Sequence, residues 1–321
     1  MPTAPLRPRP GAVTLHPQCE EVLRRIARWP VPDKMTVEYA RAQDVRRSTE
    51  LSGPRQGVFE ARSLVIPGDG AELRAVLYRP TSLVAPGILV WLRGGGWVVG
   101  STAASDDQLR ALANASSCAV LSVDYRLAPE HRFPIPAADA LAAVRWAAAN
   151  APALGAERRV AVGGASAGGN LAAAVTLLAR DLDGPAIDFQ LLVYPVTCRD
   201  LEDAASRKRY ADGYWLTASE MRWFWAQYLA GDDDAQSPYA SPLLAESLAD
   251  LPPAFILLAE CDVLYDEGRR YAARLAEHGV TTELRVYDGM LHGFVACGGV
   301  VDAAWDALRD AGRAVREGLL L

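Results

Sequence analysis

A strand-like run, Arg159-Val160-Ala161-Val162-Gly163, passes through Gly164-Ala165-Ser166-Ala167-Gly168 directly into an Ala-rich helical stretch from Asn170 to Arg180. A Gly-X-Ser-X-Gly turn between strand and helix holds its serine in a strained conformation, and small flanking residues let the backbone turn tightly enough to push the hydroxyl outward. The following helix aims its N-terminal amides at the same spot, which favours negative charge developing there. Ser166 is therefore a candidate nucleophile. The five residues alone also describe an ordinary tight connection; the strand before and the helix after separate the two readings.

The same alternation extends along the chain. Strand-like segments are expected at Ser63–Ile66, Leu73–Tyr78, Gly87–Leu92, Cys118–Asp124, Val160–Gly163, Phe189–Tyr194, Ala254–Ala259 and Thr282–Tyr287. From Cys118 onward they alternate with helical patterns at Asp139–Asn150, Asn170–Arg180, Glu267–His278 and Val301–Glu317. This predicts an α/β fold, a mostly parallel eight-stranded sheet with helices on both faces. The first strands follow one another through turn signals, so they are expected to pair antiparallel at one edge.

Two segments stand outside the alternation. Residues 1–55 carry an amphipathic piece at Glu20–Trp29 followed by Pro30-Val31-Pro32, and residues 198–250 carry Trp215, Trp223, Phe224, Trp225 and Tyr228. Aromatics at helical spacing usually pack a core, yet an insertion near the C-terminal ends of parallel strands also roofs a ligand site there. The two segments are read together as a cap over a catalytic domain made of residues 56–197 and 251–321.

Composition narrows the partners. A net charge of −6 argues against a nucleic-acid partner, which needs a basic face. Apolar runs are strand-length, and Ala140–Leu154 is broken by Arg145, Asn150 and Pro152, so no membrane span is expected. Met1–Pro10 lacks an apolar h-region, which points to a cytoplasmic setting. The five cysteines, Cys19, Cys118, Cys198, Cys261 and Cys297, show no paired spacing and read as small buried hydrophobes rather than a zinc site or disulfide framework.

A serine nucleophile needs a base and an acid to orient it, which in this sheet type follow in the order Ser, Asp or Glu, His. Of four histidines, His16 and His131 precede Ser166, and His278 is explained as a favourable charge at a helix C-terminus. His292 remains, in a loop Asp288-Gly289-Met290-Leu291-His292-Gly293-Phe294 after the last strand. For the acid, Asp262 follows the Ala254–Ala259 strand, while the rival Asp266 sits where a first-turn helix charge belongs; Glu260 is a third option. Arg93-Gly94-Gly95-Gly96-Trp97 lets backbone amides converge on an oxyanion. The same run also reads as a flexible turn, but it lacks the Lys and Ser/Thr of a phosphate-binding P-loop.

Taken together, Gly94-Gly95-Gly96-Trp97, Asp124-Tyr125-Arg126-Leu127-Ala128-Pro129-Glu130, Gly164-Ala165-Ser166-Ala167-Gly168-Gly169-Asn170, Ser241-Pro242-Leu243, Asp262-Val263-Leu264-Tyr265-Asp266-Glu267-Gly268 and His292-Gly293-Phe294 resemble the hormone-sensitive lipase-like family of α/β-hydrolase carboxylesterases over roughly residues 60–318. The resemblance implies Ser166 as nucleophile, Asp262 as acid, His292 as base, and the amides of Gly95, Gly96 and Ala167 as oxyanion donors. Trp97, Tyr194, Trp215 and Leu264 are expected to line the substrate pocket. The family works without a cofactor, acts on small-molecule esters and often forms homodimers, for which an exposed edge near Thr282–Tyr287 offers a surface.

Two positions depart from the family pattern. Arg93 stands where the glycine loop usually begins with histidine, and Ala165 stands where aspartate commonly precedes the nucleophile. The guanidinium either holds the loop by bonding carbonyls or reaches an anionic substrate. The expected reaction is hydrolysis of a short- to medium-chain carboxylic ester through an acyl-enzyme. The departures leave open an acyltransferase, deacylase or lyase on the same fold. A non-catalytic ligand receptor is expected to lose a triad member, and this chain retains all three.

Overall fold

Eight strands form one sheet in a computed structural model that describes residues 14–29, 36–81, 85–201 and 203–320. They are β1 Glu60–Pro67, β2 Glu72–Arg79, β3 Ile88–Leu92, β4 Ala119–Asp124, β5 Val160–Ala165, β6 Phe189–Val193, β7 Ala254–Cys261 and β8 Thr282–Leu291, in the spatial order β1-β2-β4-β3-β5-β6-β7-β8. β1 pairs antiparallel with β2, and β2 antiparallel with β4; every other pair is parallel. The five residues of β3 and of β6 are wholly buried, as strands covered on both faces must be.

Nine helices accompany the sheet among the described residues: α1 Pro17–Ile26, α2 Val37–Leu51, α3 Asp106–Ser116, α4 Ile135–Asn150, α5 Ala167–Asp181, α6 Ala205–Arg209, α7 Ala218–Tyr228, α8 Tyr265–Glu277 and α9 Ala303–Leu320. One apolar core packs α4, α5 and α7 against one face, and a second packs α3 and α9 against the other. The α4 helix begins four residues before the expected Asp139, because Pro136 falls in its first turn, where a missing N–H costs nothing. The α2 and α3 helices were not anticipated. Pro30-Val31-Pro32 and Met1–Pro10 lie outside the described residues. None of the described helices is long and apolar enough to cross a membrane.

The β8 strand also departs from expectation. It continues through Asp288-Gly289-Met290-Leu291 instead of giving way to a loop, and its register with β7 shifts between Ala259 and Cys261. Gly289 makes this possible: it sits at φ +67°, its N–H donates to Glu260 Oε2 at 2.8 Å, and its carbonyl accepts from His16 N–H at 3.0 Å. The strand therefore delivers His292 at its own end.

Candidate active site

The β5–α5 turn puts Ser166 at φ +56°, ψ −120°, a region that side chains other than glycine rarely occupy. Packing enforces it. A Cβ on Gly168 would lie 1.9 Å from the Leu92 carbonyl oxygen, and one on Gly164 would lie 2.3 Å from the Gly168 carbonyl, so α5 reaches β3 and β5 only because both positions are bare. Ser166 N–H donates to Val193 O at 2.9 Å, and Asn170 N–H to Ser166 O at 3.0 Å, which fixes the turn from two sides. The hydroxyl is left at the C-terminal edge of the sheet.

His292 meets it there. The Nε2 atom of His292 lies 2.9 Å from Ser166 Oγ, and its Nδ1 lies 2.6 Å from Asp262 Oδ2. A carboxylate only accepts, so Nδ1 carries the proton and Nε2 is free to take one from the hydroxyl. Asp262 follows β7 directly, is 2% exposed, and its Oδ1 accepts the Leu264 N–H at 2.9 Å. The rivals are occupied elsewhere: Asp266 accepts Ser206 N–H from the first turn of α8, and Glu260 accepts Gly289 N–H. His278 caps the end of α8, and His16 accepts Gln18 N–H at the start of α1.

The glycine run lies beside this triad because β3 pairs with β5. Gly95 and Gly96 adopt φ of +114° and +56°. A Cβ on Gly95 would stand 2.2 Å from Val99 O, and one on Gly96 would stand 2.1 Å from the Phe224 ring. The turn is closed by Val98 and Val99 N–H donating to Gly95 O at 3.0 and 2.9 Å. The Gly95 and Gly96 N–H groups donate to no acceptor among the described residues.

Arg93 is 3% exposed. Its Nη1 donates to Val99 O at 3.0 Å, its Nη2 to Tyr125 O at 3.2 Å, its Nε to Asp124 Oδ1 at 3.0 Å, and it lies 4.5 Å over the Tyr125 ring. Tyr125 Oη donates back to Arg93 O at 2.9 Å. Of the two roles open from sequence, holding the loop is the one these bonds perform.

The aromatics of the 198–250 segment gather on this edge. Trp97 is fully buried, stacked on Tyr228 at 4.2 Å and tilted against Trp225 at 4.6 Å. Tyr194 lies 4.7 Å from the His292 ring, and the Trp215 indole lies 3.9 Å from where a Cβ on Gly293 would stand. Leu264 is buried beside Asp262 and touches the site through its amide. Sequence reasoning placed Phe224 in an aromatic cluster but not against Gly96. Arg41 carried no signal at all. The five cysteines are free and buried; burial pushes the Cys261 thiol up to about 12, which leaves it protonated beside Asp262.

The chain is similar to known ester hydrolases in sequence and fold. The alpha/beta hydrolase fold family matches residues 89–296. The chain is 42% identical over 252 residues to carboxylic ester hydrolase LipN of Mycobacterium tuberculosis, covering 76% of this chain and 66% of that one. It is 40% identical over 254 residues to an ethyl acetate hydrolase of Pseudomonas putida, covering 75% and 77%. An ester hydrolase from the metagenome of Lake Arreo, solved with a bipyridine phosphonate derivative, superposes with a TM-score of 0.91 at 37% identity over 96% of this chain and 100% of that one. On motifs, fold and relatives alike, the chain belongs to the hormone-sensitive lipase-like family of α/β-hydrolases.

Proposed function

We propose that the chain hydrolyses carboxylic esters of short to medium acyl length, with Ser166 as nucleophile, His292 as base, Asp262 as its orienting acid, and the amides of Gly95, Gly96 and Ala167 as oxyanion donors. The observation that carries this reading is the unbroken chain Ser166 Oγ, His292, Asp262 at 2.9 and 2.6 Å, built on a strained turn. Ser166 Oγ attacks the ester carbon as Nε2 takes its proton, and the carbonyl π pair moves onto the oxygen. The tetrahedral intermediate collapses, the C–O bond to the alcohol breaks, and the imidazolium returns the proton to the leaving oxygen. Water then repeats the sequence on the acyl-enzyme, with the same base, and frees Ser166. Each oxyanion amide contributes about 3 kcal/mol to these steps. No cofactor enters.

Tyr194 beside the His292 ring and Trp215 beside Gly293 support a substrate pocket there, with the buried Trp97 and Leu264 packed behind its wall. Phe224 pressing on Gly96, and the ethyl acetate hydrolase among the relatives, favour small acyl groups. Residues 1–55 and 198–250 are read as the cap over the catalytic domain. The exposed edge of β8 supports a homodimer, and five unpaired cysteines support a reducing, cytoplasmic setting.

Ser166→Ala is expected to lose p-nitrophenyl butyrate hydrolysis by at least about 10⁴-fold while retaining its fold by circular dichroism. A fluorophosphonate probe is expected to label Ser166 in the wild type and nothing in the variant. Equal turnover in the variant removes the assignment.

A further inference from the structure

Three glycines make the oxyanion turn soft, since each has lost the side chain that would restrict its backbone. Yet its donors must stand within about 0.3 Å of their working distance from the developing oxyanion to be effective. What fixes the turn is therefore part of the chemistry, and its carbonyls show what does so. Trp97 O accepts Ala128 N–H at 3.0 Å, and Gly95 O accepts the two valine amides. Among the described residues the carbonyls of Val98 and Val99 have no backbone partner and rely on side chains. Arg93 takes Val99, and Arg41 takes Val98, its Nε donating at 2.8 Å.

Arg41 does more than cap one carbonyl. It projects from α2, far N-terminal to the catalytic elements. Its Nη2 donates to Ala128 O at 2.9 Å, and its Nη1 and Nη2 each reach a carboxylate oxygen of Glu130 at 2.7 Å. One guanidinium thus ties the oxyanion turn to the 125–131 loop, at the point where Ala128 N–H already bonds Trp97 O. The planar fork makes these four bonds geometrically specific. Arg41 also holds the Glu130 carboxyl down at about 2, so the pair stays ionised at neutral pH. The α2 helix thus holds the turn at Val98 through Arg41.

We infer that Arg41 is a positioning residue for the oxyanion hole and that α2 works as a brace on the catalytic machinery. The inference rests on the proposed esterase reading. The mechanism makes a specific demand on the kinetics: a loosened turn weakens bonds that strengthen when a carbonyl becomes an oxyanion, so the loss falls on kcat rather than KM.

The test uses the full chain with p-nitrophenyl acetate, rates normalised to sites titrated by a fluorophosphonate. Arg41→Ala is expected to lower kcat per titrated site by about 30-fold, with KM within about threefold of wild type. Affinity for a trifluoromethyl ketone, whose hemiketal oxyanion occupies the same hole, is expected to fall by the same factor as kcat/KM. Arg41→Lys, which keeps one donor for Val98 O, is expected to recover part of the loss, and Arg46→Ala, an exposed neighbour on α2, to lose nothing. A purely structural role would reduce the number of titratable sites and leave kcat per site intact. If Arg41→Ala does not fold, Arg41→Lys and Glu130→Gln decide the matter by the same ratios. Wild-type kcat per site and unchanged ketone affinity in these variants overturn the inference. A wild-type protein inert to esters and unlabelled at Ser166 overturns the esterase reading instead.

Discussion

Arg93 occupies a position where the family places histidine, and its surroundings explain how the exchange is tolerated. The guanidinium spans three partners that a single imidazole cannot reach together, namely Asp124, Tyr125 O and Val99 O. Asp124 is shared further, accepting Thr102 N–H and Oγ1–H at 2.9 and 3.0 Å. Arg93→Ala would leave the Val99 and Tyr125 carbonyls short of a donor, while the partly exposed Asp124 keeps Thr102 and water. Leaving such carbonyls unpaired costs about 1–3 kcal/mol. The variant is expected to unfold at correspondingly lower urea, with Arg93→Lys intermediate; equal midpoints would show that the guanidinium is dispensable. The residues proposed to react were legible because chemistry leaves few candidates: one serine in a strand-to-helix turn, one histidine after the last strand, and three nearby carboxylates, of which Asp262 is the one that meets His292. Arg93 was legible as a departure only. Its bonds run to backbone carbonyls, which look alike in any sequence.

At the scale of elements, legibility follows the apolar pattern. The amphipathic piece at Glu20–Trp29 was anticipated and forms α1. The α2 helix was not, because among its 15 residues only Ala40, Gln43 and Leu51 are buried, too sparse a stripe to read as a helical face. Its start is set instead by Thr36, whose hydroxyl accepts the Tyr39 N–H. Polarity that hid the helix also equips it, since Arg41 makes contacts that an apolar face cannot. The β5–α5 unit is the opposite case. Its small residues announce close packing, and the 1.9 Å left for a Gly168 Cβ against the backbone of Leu92 gives that packing no slack. Gly168→Ala must push α5 away from β3 and tilt Ser166 with it. The expected cost is roughly 3 kcal/mol of stability, from overpacking against backbone that cannot yield. Fluorophosphonate labelling is expected to slow together with ester turnover. A variant with wild-type melting behaviour and labelling rate would show that the turn relaxes without moving the nucleophile.

Across the whole molecule, the pairing directions match what alternation and the early turn signals suggested, antiparallel along the β1–β2–β4 edge and parallel through to β8, while the order that sets β4 between β2 and β3 was not anticipated. What alternation does not encode is how the 198–250 segment is fastened to the catalytic elements, because its anchors join residues some sixty positions apart. Glu267, in the first turn of α8, is the main one. Its side chain is fully buried; Oε1 accepts Thr197 N–H at 2.8 Å, and Oε2 accepts from Arg207 of α6 at 2.7 Å. Arg207 also donates to the carbonyls of Cys198 and Arg199, so one guanidinium closes the stretch from β6 to α6 onto α8. A buried ion pair adds little over an apolar pair, but losing one partner strands a charge away from water, at a cost of about 3–5 kcal/mol. Arg207→Ala is therefore expected to lower the unfolding midpoint markedly. Glu267→Gln, which keeps one acceptor oxygen but turns an amide N–H₂ toward groups that only donate, should lose less, since it strands no buried carboxylate. The asymmetry is the informative outcome: the segment aims Trp215 at Gly293 and Phe224 at Gly96, so its loosening is also expected to raise KM for esters in Arg207→Ala before the fold is lost. Limited proteolysis across 198–210 during a mild temperature ramp would report that early release, and resistance equal to wild type would place the fastening elsewhere.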